Sequence, residues 1–88
     1  MKTTDQEPTA SDTSDLPTEV AWLVREGFSR IRAWREHLGV TREELGERLG
    51  SSAAAVAQLE AKHAKPRAAM LKKVAAALEL PDWERLKG

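Results

Sequence analysis

The chain has 88 residues, with 14 Lys and Arg against 14 Asp and Glu, and no cysteine. That length supports one small domain, which buries only about 60–65% of the surface its unfolded chain exposes. The composition excludes a disulfide framework and a Cys-based zinc site, and no apolar run approaches the roughly 18–20 residues that span a bilayer.

The zero net charge divides unevenly. Residues 1–19 hold five acids and one base (−4), and residues 20–88 hold nine acids and thirteen bases (+4). A mildly basic body of this kind can bind phosphates. Residues 1–15, MKTTDQEPTASDTSD, are polar and acidic with almost nothing apolar. Such a segment cannot offset its ordering entropy, so it is expected to be disordered when free. It has no apolar core of the kind a secretory signal needs. Together with the missing cysteines, this fits a reducing cytosol.

Apolar residues at helical spacing begin at Leu16, and nothing alternates like a strand. Residues 16–28 read as an N-terminal helical extension. Its helix is expected near 17–27, with Pro17 in the first turn, Val20, Leu23 and Val24 as a stripe, and Gly27 as the stop. Residues 29–88 read as the main domain. A second helix starts at Ser29 and ends before Gly39, with Ile31, Trp34, Arg35 and Leu38 on one face. A third starts at Thr41, where Glu44 three residues on completes a capping box and Val40 can staple onto Leu45. Leu45 and Leu49 face inward, and Gly50 suits the position after the helix.

The fourth helix takes Ser52 as N-cap and is expected to run to about Ala61, or on toward His63. Val56 and Leu59 are its inward pair. KHAKPR is a loop broken by Pro66. A fifth helix covers about 68–79 with Met70, Leu71, Val74, Ala75 and Leu78 as its stripe. Pro81 then opens a final turn containing Trp83 and Leu86. The expected architecture is all-α: a compact domain of five to six short helices behind a disordered tail.

The helices at 42–49 and 52–61, joined around Gly50, have the form of a helix-turn-helix unit. Gly46 sits inside the first of them, where glycine costs about 1 kcal/mol against alanine. Close packing of the two helices explains why the cost is tolerated.

The stretch LGVTREELGERLGSSAAAVAQLEAKHAKP resembles the Cro/Xre (lambda-repressor-like) helix-turn-helix family. Leu38, Gly39, Val40, Thr41, Glu43, Glu44, Leu45, Leu49, Gly50, Ser52, Val56, Leu59, Glu60 and Pro66 carry the resemblance. LKKVAAALELPDW resembles the family's next helix and closing aromatic turn, so the likeness spans roughly residues 29–86. The chain departs from the pattern at Arg42, where the family has a phosphate-binding Gln, and at Ser51, where it has an apolar residue. Ala53, Ala54 and Ala55 open the recognition helix, and Ala61-Lys62 replaces a frequent Asn-Gly. The resemblance implies a lambda-repressor-like fold and an ion pair between Arg35 and Glu60.

A recognition helix sets its N-terminal residues against base edges in the major groove. Here Ala53, Ala54 and Gln58 would occupy that surface. Gln can bond adenine bidentately, whereas alanine can touch only a thymine methyl. Arg42 and Ser52 at helix starts, with Lys62, Lys65 and Arg67 in the following loop, are the candidate phosphate contacts. With little direct readout, specificity would need two half-sites on a homodimer, or DNA shape.

LPTEVAWLVREGFSRIRAWREHLG resembles the start of HigA-type antitoxins. That resemblance implies repression of the protein's own operator and binding of a RelE/ParE-like toxin, with Leu16, Val20, Trp22 and Leu23 as candidate partner contacts. The alternative is a protein-interaction module on a helix-turn-helix scaffold that binds DNA weakly or not at all. His37 and His63 lack partners at metal-ligand spacing, so no metal and no cofactor is expected. Nothing in the residues supports an enzyme.

Overall fold

The computed structural model describes residues 16–87; the segment expected to be disordered, 1–15, lies outside the described residues. Among the described residues the regular structure is all helical. Five α-helices run in order: α1 (Thr18–Arg25), α2 (Arg30–His37), α3 (Arg42–Arg48), α4 (Ala53–Leu59) and α5 (Ala68–Ala77). A single 3₁₀ turn, Trp83–Leu86, follows. None of these helices is long and apolar enough to cross a membrane.

Local chemistry sets the helix starts. Ser29 Oγ accepts from Arg32 N at 3.2 Å. At α3 the capping box is complete: Thr41 Oγ1 accepts from Glu44 N at 3.0 Å and Glu44 Oε1 accepts from Thr41 N at 2.9 Å. Two otherwise orphaned backbone donors are satisfied there. Ser52 Oγ accepts from Ala55 N at 3.1 Å at the start of α4.

Four helices end in the same crossed pair of backbone bonds. At α3, Gly50 N reaches Glu47 O at 3.0 Å and Ser51 N reaches Gly46 O at 2.7 Å. Gly50 carries the left-handed φ of 68° this turn requires. At α5 the same motif forms with Glu79 in that position at φ 60°, through Leu80 N to Ala75 O at 2.8 Å. A glutamate there carries a Cβ strain that glycine avoids.

The fourth helix is shorter than expected. It stops at Leu59 with Glu60 as its C-cap and does not run on toward His63. No left-handed residue follows it; the chain leaves through a turn in which Ala64 N bonds Ala61 O at 3.0 Å. Leu38 also departs from expectation. It is exposed rather than turned inward with Ile31 and Trp34, because α2 ends at His37 and Leu38 is already the cap.

Val20, Leu45, Val56 and Val74 are the largest fully buried side chains, and they come from α1, α3, α4 and α5. Ile31, Trp34, Leu71, Leu78 and Leu86 complete one continuous apolar cluster. In a chain this small each such burial matters, at about 1.5–3 kcal/mol per large aliphatic side chain. α1 lies on α2, α3 on α4, and α5 on the closing 3₁₀ turn. Arg30 adds a bond from NH1 to Arg85 O at 3.1 Å, tying α2 to that turn. Arg48 NH1 bonds Ala77 O at 2.9 Å, placing a cation at the C-terminal end of α5.

Candidate nucleic-acid interface

α3 and α4 meet at Gly46. A Cβ built on it would lie 2.7 Å from the Ser52 carbonyl carbon, 2.9 Å from its oxygen and 3.1 Å from Ala53 N. All three are backbone atoms at the start of α4. The glycine is therefore what lets the two helix backbones come this close, and the local helix penalty is offset by that contact.

The far end of α4 is fixed by charge. Glu60 is its C-cap, and only 1% of the Glu60 side chain is exposed. Arg35 of α2 donates to it through Nε at 2.5 Å and NH2 at 3.3 Å, and donates to Val40 O through NH1 at 2.8 Å. Arg42 of α3 donates through Nε to Glu60 Oε1 at 2.9 Å. One carboxylate thus gathers guanidinium groups from two other helices. A buried carboxylate needs this company, because an uncompensated charge in the interior costs several kcal/mol. Arg35 NH2 also lies 3.6 Å from Glu36 Oε2, and Glu36 in turn pairs with Arg32 Nε at 2.8 Å, so Glu36 and Glu60 share the guanidinium groups of Arg32, Arg35 and Arg42. Of the two guanidinium groups on Glu60, that of Arg42 is reachable from outside, because its side chain is 40% exposed.

The helix start and the family resemblance together predict Arg42 as a phosphate contact. Its bond to Glu60 gives it an additional structural role, and the pairing uses Nε, so the terminal nitrogens are not spent on Glu60. The Ser52 hydroxyl accepts from Ala55 N and is exposed, so its proton remains available for donation outward.

Ala54 and Gln58 are exposed, four residues apart on one face of α4, and Ala53 is half-buried. Ala57 is exposed as well; it lies beyond the first turn of the helix, where the resemblance alone gives no sign of it. The outward face of α4 is therefore smooth, with one long polar side chain.

The cations after α4 separate. Lys62 Nζ lies 3.7 Å from the position of a Cβ on Gly27, so this side chain leans on the turn that ends α1. Lys65 and Arg67 are exposed and enter no ion pair among the described residues. Arg67 precedes α5 without capping it through its side chain.

The four residues proposed for partner contact do not form one surface. Val20 is fully buried and belongs to the core, because its position on α1 faces the same cluster as Ile31 and Val56. This corrects its assignment as a contact residue. Leu16 and Leu23 are half-buried and pack against that cluster. Trp22, at 58% exposure, is the one that presents a large apolar side chain. Among the described residues no group of His, Asp or Glu is arranged to hold a metal ion.

Residues 31–82, more than half of the chain, match the family described as helix-turn-helix. No curated protein and no solved structure matches the chain.

Proposed function

The chain belongs to the Cro/C1-type helix-turn-helix family and is a DNA-binding regulator; from that premise we propose that it is a homodimeric repressor of its own operator and the antitoxin of a type II toxin–antitoxin pair. The observation that carries the DNA part is the contact of α3 and α4 at Gly46, closed at the other end by Arg35, Arg42 and Glu60. These contacts hold α4 near both ends while Ala54, Ala57 and Gln58 stay exposed, and on this reading Arg42, Lys65 and Arg67 would supply phosphate contacts.

With so few base-reading side chains on α4, phosphate contacts dominate affinity. Operator binding then falls steeply with salt. Two such faces on a homodimer would span successive half-sites about 34 Å apart. The acidic N-terminal segment and the exposed Trp22 support the toxin-binding part. Their chemistry suits a basic RelE/ParE-like partner, through charge and one large apolar anchor.

The test is a mobility-shift titration of the chain's own upstream DNA at two salt concentrations, with and without the product of the neighbouring gene. Lys65 and Arg67 are the clean targets, since both are exposed and neither holds the fold together. Replacing both with alanine should weaken binding to all sequences alike and lower the salt slope by about 2. Unchanged affinity removes them from the interface.

One observation favours a second reading, an interaction module without strong DNA affinity. The outward face of α4 offers Ala54 and Ala57 where discriminating side chains would each contribute roughly 1–3 kcal/mol. Loss of all binding at low salt, with capture of the neighbouring product intact, selects this reading.

A further inference from the structure

A groove of about 350 Å³ opens between α4, the loop after it and α5. Leu49, Ala55, Leu59, Pro66 and Met70 give it an apolar lining. The charged residues lining it are Lys65 and Lys73, and none of its lining residues is acidic. Both lysines are exposed, and neither is in an ion pair among the described residues. Ser51 and Gln58 line it as well. Ser51 stands where the resembling family has an apolar side chain, and the small Ala55 faces the same space. The size falls within the range of small-molecule sites, which combine an apolar lining with a few polar groups that fix orientation.

We propose that this groove binds a small amphipathic carboxylate. The apolar body would lie against Leu49, Leu59 and Met70, and the carboxylate would pair with Lys65 and Lys73. Charge complementarity selects this occupant, because two unpaired cations and no anion edge an apolar space. Gln58 and Lys65 also belong to the DNA-facing surface proposed above. Occupation of the groove therefore withdraws two DNA contacts at once, which makes the ligand an inducer. That consequence rests on the DNA-binding reading; the binding itself does not.

Octanoate is the probe, with 1-octanol and octylammonium as matched controls. The whole chain is titrated without DNA, by calorimetry and by amide shifts in ¹H–¹⁵N spectra. Octanoate should saturate with a Kd on the order of 0.1–1 mM, as about ten non-hydrogen atoms allow. Shifts should centre on Leu49, Ala55, Leu59 and Met70. The Lys65→Gln/Lys73→Gln double variant should bind octanoate about fivefold more weakly and leave octanol unchanged. Ala55→Leu, which fills the groove from α4, should abolish binding; the lysine variant carries the test if Ala55→Leu does not fold.

Octanol binding as well as octanoate overturns the proposal. So do shifts scattered over the surface, and so do ligand-free shifts at Leu49, Ala55, Leu59 and Met70 themselves that grow with protein concentration, which would mark a second copy as the occupant of the groove rather than a dimer formed elsewhere. A DNA complex unaffected by saturating octanoate overturns the inducer role. Saturable octanoate binding by a chain that forms no DNA complex sinks the DNA reading and leaves the groove assignment standing.

Discussion

Replacing Gly46 with alanine tests the packing on which the recognition helix depends. The added Cβ would sit 2.7 Å from the Ser52 carbonyl carbon, whereas carbon atoms rest at about 3.5–4.0 Å. The start of α4 must retreat by about 1 Å, because the obstruction is backbone and cannot rotate away. Overpacking of this kind costs about 1–3 kcal/mol. Retreat also stretches the bond from Ser51 N to Gly46 O, now 2.7 Å, which is worth about 1 kcal/mol net. Against this, alanine gains about 1 kcal/mol of helix propensity. The balance is a loss of about 1–3 kcal/mol.

A loss of 2 kcal/mol lowers Tm by roughly 8–16 °C in a domain of this size. The assay is thermal and urea unfolding followed by circular dichroism, with the m-value required to stay constant. Glu47→Ala, at the exposed neighbouring position, is the control and should stay within about 0.5 kcal/mol of the parent. If Gly46→Ala is neutral or raises Tm, propensity has won. The close approach of α3 and α4 would then not be what keeps a glycine in this helix.

Three further outcomes follow from single groups. Glu60→Gln should destabilise by about 2–3 kcal/mol, because it leaves the buried Arg35 with only the partly exposed Glu36, 3.6 Å from its NH2, as a charged partner; urea midpoints of Glu60→Gln and Arg35→Met measure it, and a loss under about 1 kcal/mol sinks the buried-pair account. Glu79→Gly should stabilise by about 0.5–1 kcal/mol, since relief of the left-handed strain exceeds the added chain entropy of glycine, and an unchanged Tm counts against that strain. Ser52→Ala should cost about 1 kcal/mol through loss of the α4 cap; hydrogen exchange at Ala55 N reads it, and unaltered protection there contradicts the cap.

What could be read from the sequence was mostly what is decided within one turn of the chain. The Thr41/Glu44 box and the Ser52 cap involve partners three residues apart, so residue types alone reveal them. Gly46 was readable for a different reason: a glycine inside a helix violates local propensity, and such a violation points to a tertiary cause. The ends of α4 and α5 were less legible. Glu79 adopts the position that glycine usually marks, so its residue type gave no sign. The missing glycine after Glu60 suggested a longer helix, yet the carboxylate is held by Arg35 and Arg42 and the chain turns there. Arg42 on Glu60 is a contact across 18 residues, and no local pattern announces it. Val20 looked like a candidate contact because apolar stripes on a short extension resemble both core and interface; packing against α2 decides for the core.

The Glu60 cluster joins stability to recognition through Arg42. If Arg42 served only as a phosphate contact, its loss would reduce affinity and leave the fold alone. If it served only Glu60, its loss would cost stability and leave the salt slope alone. The geometry shows the structural role, with Nε bound to a carboxylate that is 1% exposed, and the 40% exposure of the side chain leaves room for the proposed phosphate contact. Arg42→Lys would keep the charge and lose the planar, preset Nε donor. The long-range attraction to phosphate would persist, and the angle of α4 against α3 would be less firmly held. For a helix whose outward face is Ala54, Ala57 and Gln58, that angle matters more than usual. A smooth face would gain its contacts from lying close and parallel to the groove, so on the proposed reading Arg42→Lys should alter sequence preference without removing any base contact.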